Sequence, residues 1–198
     1  MKKRLLALML TFVAVMMTAC GGKTYTRGSF TDIGYESEFV GFRYTTPEGF
    51  TLADEEELAS MMGITLEAMG DDATEAQKKY AELTTVYEMM VTDATGACNM
   101  NMTMDKQVMA VDKYVDLFKE QAEAFTTMEV VLNDGEENVE IAGTTYKKLS
   151  ATVSAYGMSM NQEYYIAKVG DRMVSMAVTY IDGMEDAKDV LMSGFAAY

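Results

Sequence analysis

The chain of 198 residues has no histidine, no tryptophan, one proline and two cysteines. Without histidine there can be no Ser-His-Asp or Cys-His nucleophile system, no imidazole-ligated metal and no side chain that ordinarily titrates near neutral pH. Two cysteines, Cys20 and Cys98, are too few for the disulfide framework that staples small secreted domains. Positive charge is also scarce. The 16 basic residues face 31 acidic ones, for a net charge of −15, and such a surface repels phosphate backbones, so no nucleic-acid partner is expected. No internal repeat and no low-complexity run interrupts the chain.

The front end is unusual in what it does contain. Lys2, Lys3 and Arg4 precede an apolar run over residues 5–17, broken only by Thr11, and small residues follow. This is the three-part plan of a secretory signal, and the run is short for a permanent transmembrane helix. The segment Met17-Thr18-Ala19-Cys20 resembles a bacterial lipobox, with Met17 where leucine is usual. That resemblance implies cleavage before Cys20 and a diacylglyceryl cysteine at the new N-terminus. Two acyl chains anchor stably where one holds marginally. Residues 1–19 are therefore read as a lipoprotein signal peptide, 20–29 as a flexible tether and 30–198 as one domain, displayed at the outer leaflet of the cell membrane. Removing Lys2, Lys3 and Arg4 takes the 16 basic residues to 13 against 31 acidic, a net charge of −18. With Cys20 used by lipid, Cys98 has no partner within the chain.

Periodicity then supplies the elements. Residues 35–40 and 42–46 read as short strands about Gly41, and Thr46-Pro47-Glu48-Gly49-Phe50 as a turn, since a residue before proline is pushed to extended backbone. Residues 52–62 read as a helix whose first turn carries Asp54, Glu55, Glu56 and Glu57 at the positive end of its dipole, with Gly63 as its stop. Residues 64–83 suggest two short helices broken near Gly70, with Thr74 as a cap. A hairpin is expected from 87–92 and 97–104, in which Met100, Met102 and Met104 alternate with Asn99, Asn101 and Thr103 and so share one face. Over 111–125, Val111, Val115, Phe118, Ala122 and Phe125 recur at three- and four-residue steps, the clearest helix in the chain. Strands follow at 128–132, 145–155, 158–169 and 172–180, with Gly170-Asp171 as a two-residue hairpin turn. A last helix begins at Asp182 as cap, with Ala187, Val190, Leu191 and Phe195 as its packing stripe.

Early strands, a middle helix, a late meander and a closing helix predict an α+β fold: a single mainly antiparallel β-sheet flanked by helices on both faces. The run YESEFVGFRYTTPEGF (35–50) resembles the opening of the PsbP/Mog1-like α/β/α sandwich, with Phe50 in place of the usual tryptophan. Ile141-Ala-Gly-Thr-Thr-Tyr146 followed by meander and helix is similar to the same plan. Members of that fold are chiefly binding or assembly factors, so the resemblance implies a non-catalytic module with no cofactor.

Four candidate chemistries deserve weighing. Sixteen of the 20 methionines follow Cys20, and thioethers select Cu(I), so a metal-handling lipoprotein is the alternative function; core filling is the simpler use. Glu36 and Glu38 are a carboxylate pair of the kind glycosidases use, but no motif sets them across a cleft. The acidic run 54–57 is a helix start, and no EF-hand loop occurs. Tyr146, Tyr156, Tyr164, Tyr165 and Tyr180, with Ser150, Thr152 and Ser154, would make a recognition surface for peptide or glycan if they shared a face. Finally, residues 63–83 form a surplus acidic cover with Gly63 and Gly70 as hinges. There Asp71, Asp72 and Glu75 are expected to contact a basic protein or peptide partner.

Overall fold

The structure, a computed structural model, describes residues 23–68, 84–107, 109–123, 129–133, 135–155 and 158–198. Cys20 and the expected partner residues Asp71, Asp72 and Glu75 lie outside the described residues.

Two antiparallel sheets form the fold, where one was expected. The smaller has the order β1-β2-β3-β12, built from β1 (Ser29–Thr31), β2 (Gly34–Ser37), β3 (Phe42–Thr45) and β12 (Phe195–Ala197). The larger has the order β4-β5-β6-β11-β10-β9-β7. Its strands are β4 (Phe50–Leu52), β5 (Thr85–Asp93), β6 (Cys98–Lys106), β7 (Glu129–Leu132), β9 (Thr144–Ala155), β10 (Met158–Val169) and β11 (Arg172–Tyr180), and β8 (Glu137–Ile141) shares with β7 the outer edge of β9. The single-sheet expectation fails because the early strands are only three or four residues long and pair with the C-terminal β12 instead of with the meander.

The meander itself follows its alternation. Val169 pairs with Arg172 around Gly170-Asp171, and the 158–169 and 172–180 strands appear with the expected bounds. On β6, Cys98, Met100, Met102 and Met104 are all fully buried, packed with Met89, Val91, Val174, Met176 and Val178. The small sheet closes over this face through Tyr35, Phe39, Phe42 and Tyr44. Helix α3 (Glu185–Met192) adds Leu191 to the same cluster. Helix α2 (Val111–Glu123) buries Tyr114, Val115 and Phe118 against Leu149, Ala151, Tyr164, Ile166, Met173 and Ala177, which alternate with the first set on β9, β10 and β11. Helix α1 (Glu55–Ala68) sets Leu58 and Met61 on Tyr87 of β5.

Three local expectations change. Gly63 does not stop α1, which continues to Ala68; one interior glycine costs a helix only about 1 kcal/mol. Asp182 does not cap α3, because its carboxylate accepts a bond from Asn161 Nδ2 at 2.8 Å and the cap position falls to Met184. Val190 points outward, 46 % exposed, and Phe195 belongs to β12. The polar residues that alternate with the methionines are also enclosed: Asn99, Asn101, Thr103 and Asp105 are all buried, so β6 is covered on both faces.

Candidate functional site

The β1–β2 turn, the end of β3, strand β4 and the first residues of α1 converge on one corner and enclose an open cleft of about 660 Å³. Local chemistry explains the convergence. Thr46, held extended before Pro47, donates its N–H to the Ile33 carbonyl at 2.9 Å and ties the β3 end to the β1–β2 turn. Pro47 to Phe50 closes a turn with a 3.2 Å bond and Gly49 at φ +87, returning the chain as β4. Ala53 N–H reaches the Met90 carbonyl at 2.8 Å, and α1 starts beside it.

The cleft has an apolar floor and an acidic rim. Phe30, Leu52 and the buried Ala53 form the floor, and Ile33, 67 % exposed, makes a lip. Asp32, Asp54 and Glu55 line the same space. Asp54 and Glu57 satisfy each other's backbone in a capping box, Glu57 N–H to Asp54 Oδ1 at 2.9 Å and Asp54 N–H to Glu57 Oε2 at 3.1 Å. None of the ion pairs among the described residues includes Asp32, Asp54 or Glu55. Such a cleft offers burial to an apolar side chain and Coulombic attraction to a cation beside it. Thr46 Oγ1 in its wall is shielded and has no hydrogen-bond partner among the described residues.

A second polar feature lies on the adjoining strand. Between Tyr87 and Met89 the β5–β6 register slips, so Glu88 is the extra residue of a bulge, and it is fully buried. Its carboxylate accepts from Tyr25 Oη at 2.7 Å and from Gly28 N–H at 2.8 Å. These donors belong to the stretch read as a tether, whose residues 23–28 run across the domain with no regular secondary structure. Lys23 Nζ reaches the carbonyls of Glu38 and Phe39 at 2.7 and 3.1 Å, and Arg27 Nη2 reaches that of Tyr87 at 3.2 Å. The Tyr25 ring meets Phe39 edge-on, and the Arg172 guanidinium lies 4.3 Å from its centroid. Burial and the Glu88 charge push the Tyr25 and Tyr35 hydroxyls well above the usual phenol range. Two glycines permit the approach: a Cβ on Gly28 would meet the Glu36 carbonyl at 2.3 Å, and one on Gly170 the Lys23 carbonyl at 2.6 Å.

The other sequence candidates are dispersed. Glu36 pairs with Arg43 at 3.1 Å on the small sheet, while Glu38 lies in the following turn. Tyr146 and Tyr165 pack in the methionine cluster and Tyr164 under α2, so the tyrosines share no recognition face; Tyr156 is outside the described residues. Cys98 is a buried thiol whose pKa burial and Asp93 push up to about 11. Among the described residues no group of three or more Cys, Asp or Glu is placed to hold a metal ion, and no helix is long and apolar enough to cross a membrane. Sequence reasoning overlooked Asp105, enclosed under α2. It accepts from Thr85 Oγ1 at 2.6 Å and Tyr114 Oη at 2.8 Å, and burial raises its pKa above the usual carboxylate value.

No family model matches the chain, and no curated protein matches it. Among solved structures, it is similar to cyanobacterial PsbP (CyanoP) from Synechocystis sp. PCC 6803, at 13 % identity and a TM-score of 0.46 over 92 % of this chain and 99 % of that one. A protein from Bacteroides thetaiotaomicron VPI-5482 aligns at 11 % identity and 0.44, over 82 % of this chain and 47 % of that one. LpqN, involved in cell envelope biogenesis of Mycobacterium tuberculosis, aligns at 8 % and 0.45, over 78 % and 82 %.

Proposed function

We propose that the protein is a lipid-anchored, non-catalytic binding module at the outer leaflet of the cell membrane, and that its cleft takes an extended basic segment of a protein or peptide. The observation that carries the binding reading is the pairing of an apolar floor with three carboxylates that have no ion-pair partner among the described residues. A lysine-bearing segment would place an apolar side chain on Phe30 and Leu52 while its ammonium groups meet Asp32, Asp54 and Glu55. The anchor rests on the Lys2-to-Cys20 pattern alone. The same reading takes the layers as an α/β/α sandwich of the PsbP/Mog1 kind, supported by α2 against one face of the large sheet and α3 against the other.

Fluorescence anisotropy tests the cleft with a labelled peptide alternating lysine and leucine, against one alternating glutamine and leucine. Binding of the first should weaken at least about ten-fold when Asp32→Asn and Glu55→Gln are combined, since two rim charges are lost. Glu137→Gln with Glu140→Gln on β8 is the control for general acidity and should change little. Equal losses in both double variants would mean that the peptide sees only the net charge. For the anchor, Cys20→Ala should release the protein from the membrane fraction, and mass spectrometry should find a diacylglyceryl cysteine in the parent chain.

A further inference from the structure

Ten of the cations among the described residues fall into two sets, and Lys168, bonded to the Met109 carbonyl, stands apart from both. Arg43, Lys119, Lys147, Lys148 and Lys188 each pair with a carboxylate. None of those pairs includes Lys23, Arg27, Lys106, Lys113 or Arg172, and these five gather at one end of the domain. Arg172 and Lys106 face each other across β11 and β6, next to the Gly170-Asp171 turn. The carbonyl of Lys23 lies against Gly170, and Arg27 sits on β5 two residues from Thr85, which pairs with Asp105. Lys113 stands on the first turn of α2, beside Tyr114, whose hydroxyl reaches that same Asp105.

The side-chain hydrogen bonds of Lys23, Arg27 and Arg172 go to carbonyls, Arg172 Nη1 to that of Thr84, and Arg172 also interacts with the buried Asp105 carboxyl. Lys23, Arg27, Lys106 and Lys113 are exposed. Among the described residues of that end, Glu38, the half-buried Asp171, and Asp112 and Asp116 beside Lys113 reach the surface, with Asp112 engaged by Lys147, whereas Glu88 and Asp105 are enclosed.

We propose that this end is a membrane-facing surface that contacts anionic phospholipid headgroups. The proposal rests on the lipid-anchor reading for its geometry. From Cys20 to Lys23 are three residues, which span at most about 10 Å. Because residues 23–28 are bonded onto the domain, that distance sets the standoff, and the surface brought inward is the basic one. Net charge does not prevent the contact. Strand β11 runs from Arg172 at this end to Tyr180 at the other, about 30 Å at the rise of a strand, whereas charges are screened beyond about 8 Å at physiological salt. Carboxylates at the Tyr180 end, such as Asp182 and Glu185, are therefore several screening lengths from the headgroups.

Lysine footprinting tests this. The chain from Cys20 onward is coupled through the Cys20 thiol to a maleimide lipid, which leaves buried Cys98 untouched. It is then placed on phosphatidylcholine vesicles with or without phosphatidylglycerol. An amine-acetylating reagent followed by mass spectrometry reads each lysine. With phosphatidylglycerol, Lys106 and Lys113 should react about five-fold more slowly, the protection expected of a lysine drawn to an anionic surface, and Lys188 at the far end should react unchanged. Combining Lys106→Gln with Lys113→Gln should abolish the effect of phosphatidylglycerol at Lys23. Equal reactivity at Lys106 and Lys113 on both vesicles, or equal protection of Lys188, would overturn the proposal. The artificial tether keeps this test separate from the anchor reading, which fails instead if the natural chain carries no lipid on Cys20.

Discussion

Removing the Glu88 carboxylate should release residues 23–28 from the domain before it unfolds anything else. In Glu88→Ala two bonds to an ionised acceptor vanish, from Tyr25 Oη and Gly28 N–H. A hydrogen bond to a charged group is worth roughly 1.5 to 3 kcal/mol, so the gross loss is about 3 to 6 kcal/mol. Part of it returns, because a segment near the chain end can lift away and give its donors to water. A net loss of about 2 to 4 kcal/mol in docking is then expected, with the remaining contacts of Lys23, Arg27 and the Tyr25 ring too few to hold the segment down. Limited trypsin digestion reads this directly, since Lys23 and Arg27 are cleavage sites within the segment and Arg27 is tied to the Tyr87 carbonyl. Cleavage that samples the open form follows its population, so the rate after Arg27 should rise roughly 30- to 1000-fold. The melting temperature should fall much less than a core loss of that size would dictate. Tyr25→Phe, which removes one of the two bonds, should fall between parent and Glu88→Ala. Unchanged cleavage after Arg27 together with a large drop in melting temperature would refute the reasoning and make Glu88 an ordinary part of the core.

Three further outcomes are expected. Met102→Ala, at a fully buried position between Met89 and Met176, should cost about 2 to 5 kcal/mol in denaturant unfolding as a cavity mutation, and a loss under about 1 kcal/mol would mean a loosely packed methionine cluster. Cys98, fully buried with its thiol pushed up to about 11, should resist a disulfide-exchange reagent at neutral pH until denaturant unfolds the chain; rapid labelling of native protein would contradict its placement. Asp105 has a folded pKa raised by burial, with the Thr85 and Tyr114 hydroxyls and Arg172 opposing that shift. Stability from its protonated form is present below the ordinary value of 3.8 and is lost as pH rises through the folded pKa. Asp105→Asn should therefore gain on the parent chain as pH rises above that value, and a difference independent of pH would remove the burial argument.

How much of this was legible depends on the length over which a pattern runs. Strands of nine to twelve residues such as β10 and β11 repeat their alternation often enough to be seen, and α2 shows its stripe over three turns. Strands β1, β4 and β12 have three residues each, too few for a local periodicity, and β4 and β12 exist because partners distant in sequence pair with them. Alternation put Met100, Met102 and Met104 on one face of β6 but carried no sign that Asn99, Asn101 and Thr103 on the other would be buried as well. The cleft draws on Phe30, Ile33, Thr46, Leu52 and Glu55, none unusual alone, and the capping box was the one part of it that the acidic run 54–57 announced.

The docking of residues 23–28 shows the same limit more sharply. Lys-Thr-Tyr-Thr-Arg-Gly is polar and aperiodic, the composition of a linker, and its main partner Glu88 lies about sixty residues on. What distinguishes it is long-range: a bulge that turns Glu88 aside from its strand's alternation, and two glycines whose missing Cβ atoms make room for backbone. Charge counting hid a related fact. A net charge of −15 predicts repulsion from an anionic bilayer only if the charge is spread evenly, and here it is not. Carboxylates neutralise the cations of the small sheet, of α3, and along the flank that β8, β9 and the exposed side of α2 form. Carbonyls hold Lys23 and Arg27 without neutralising them. Sorting cations by partner instead of counting them separates an end suited to lipid headgroups from a cleft suited to a basic segment, and the two demands are met at different places on one acidic molecule.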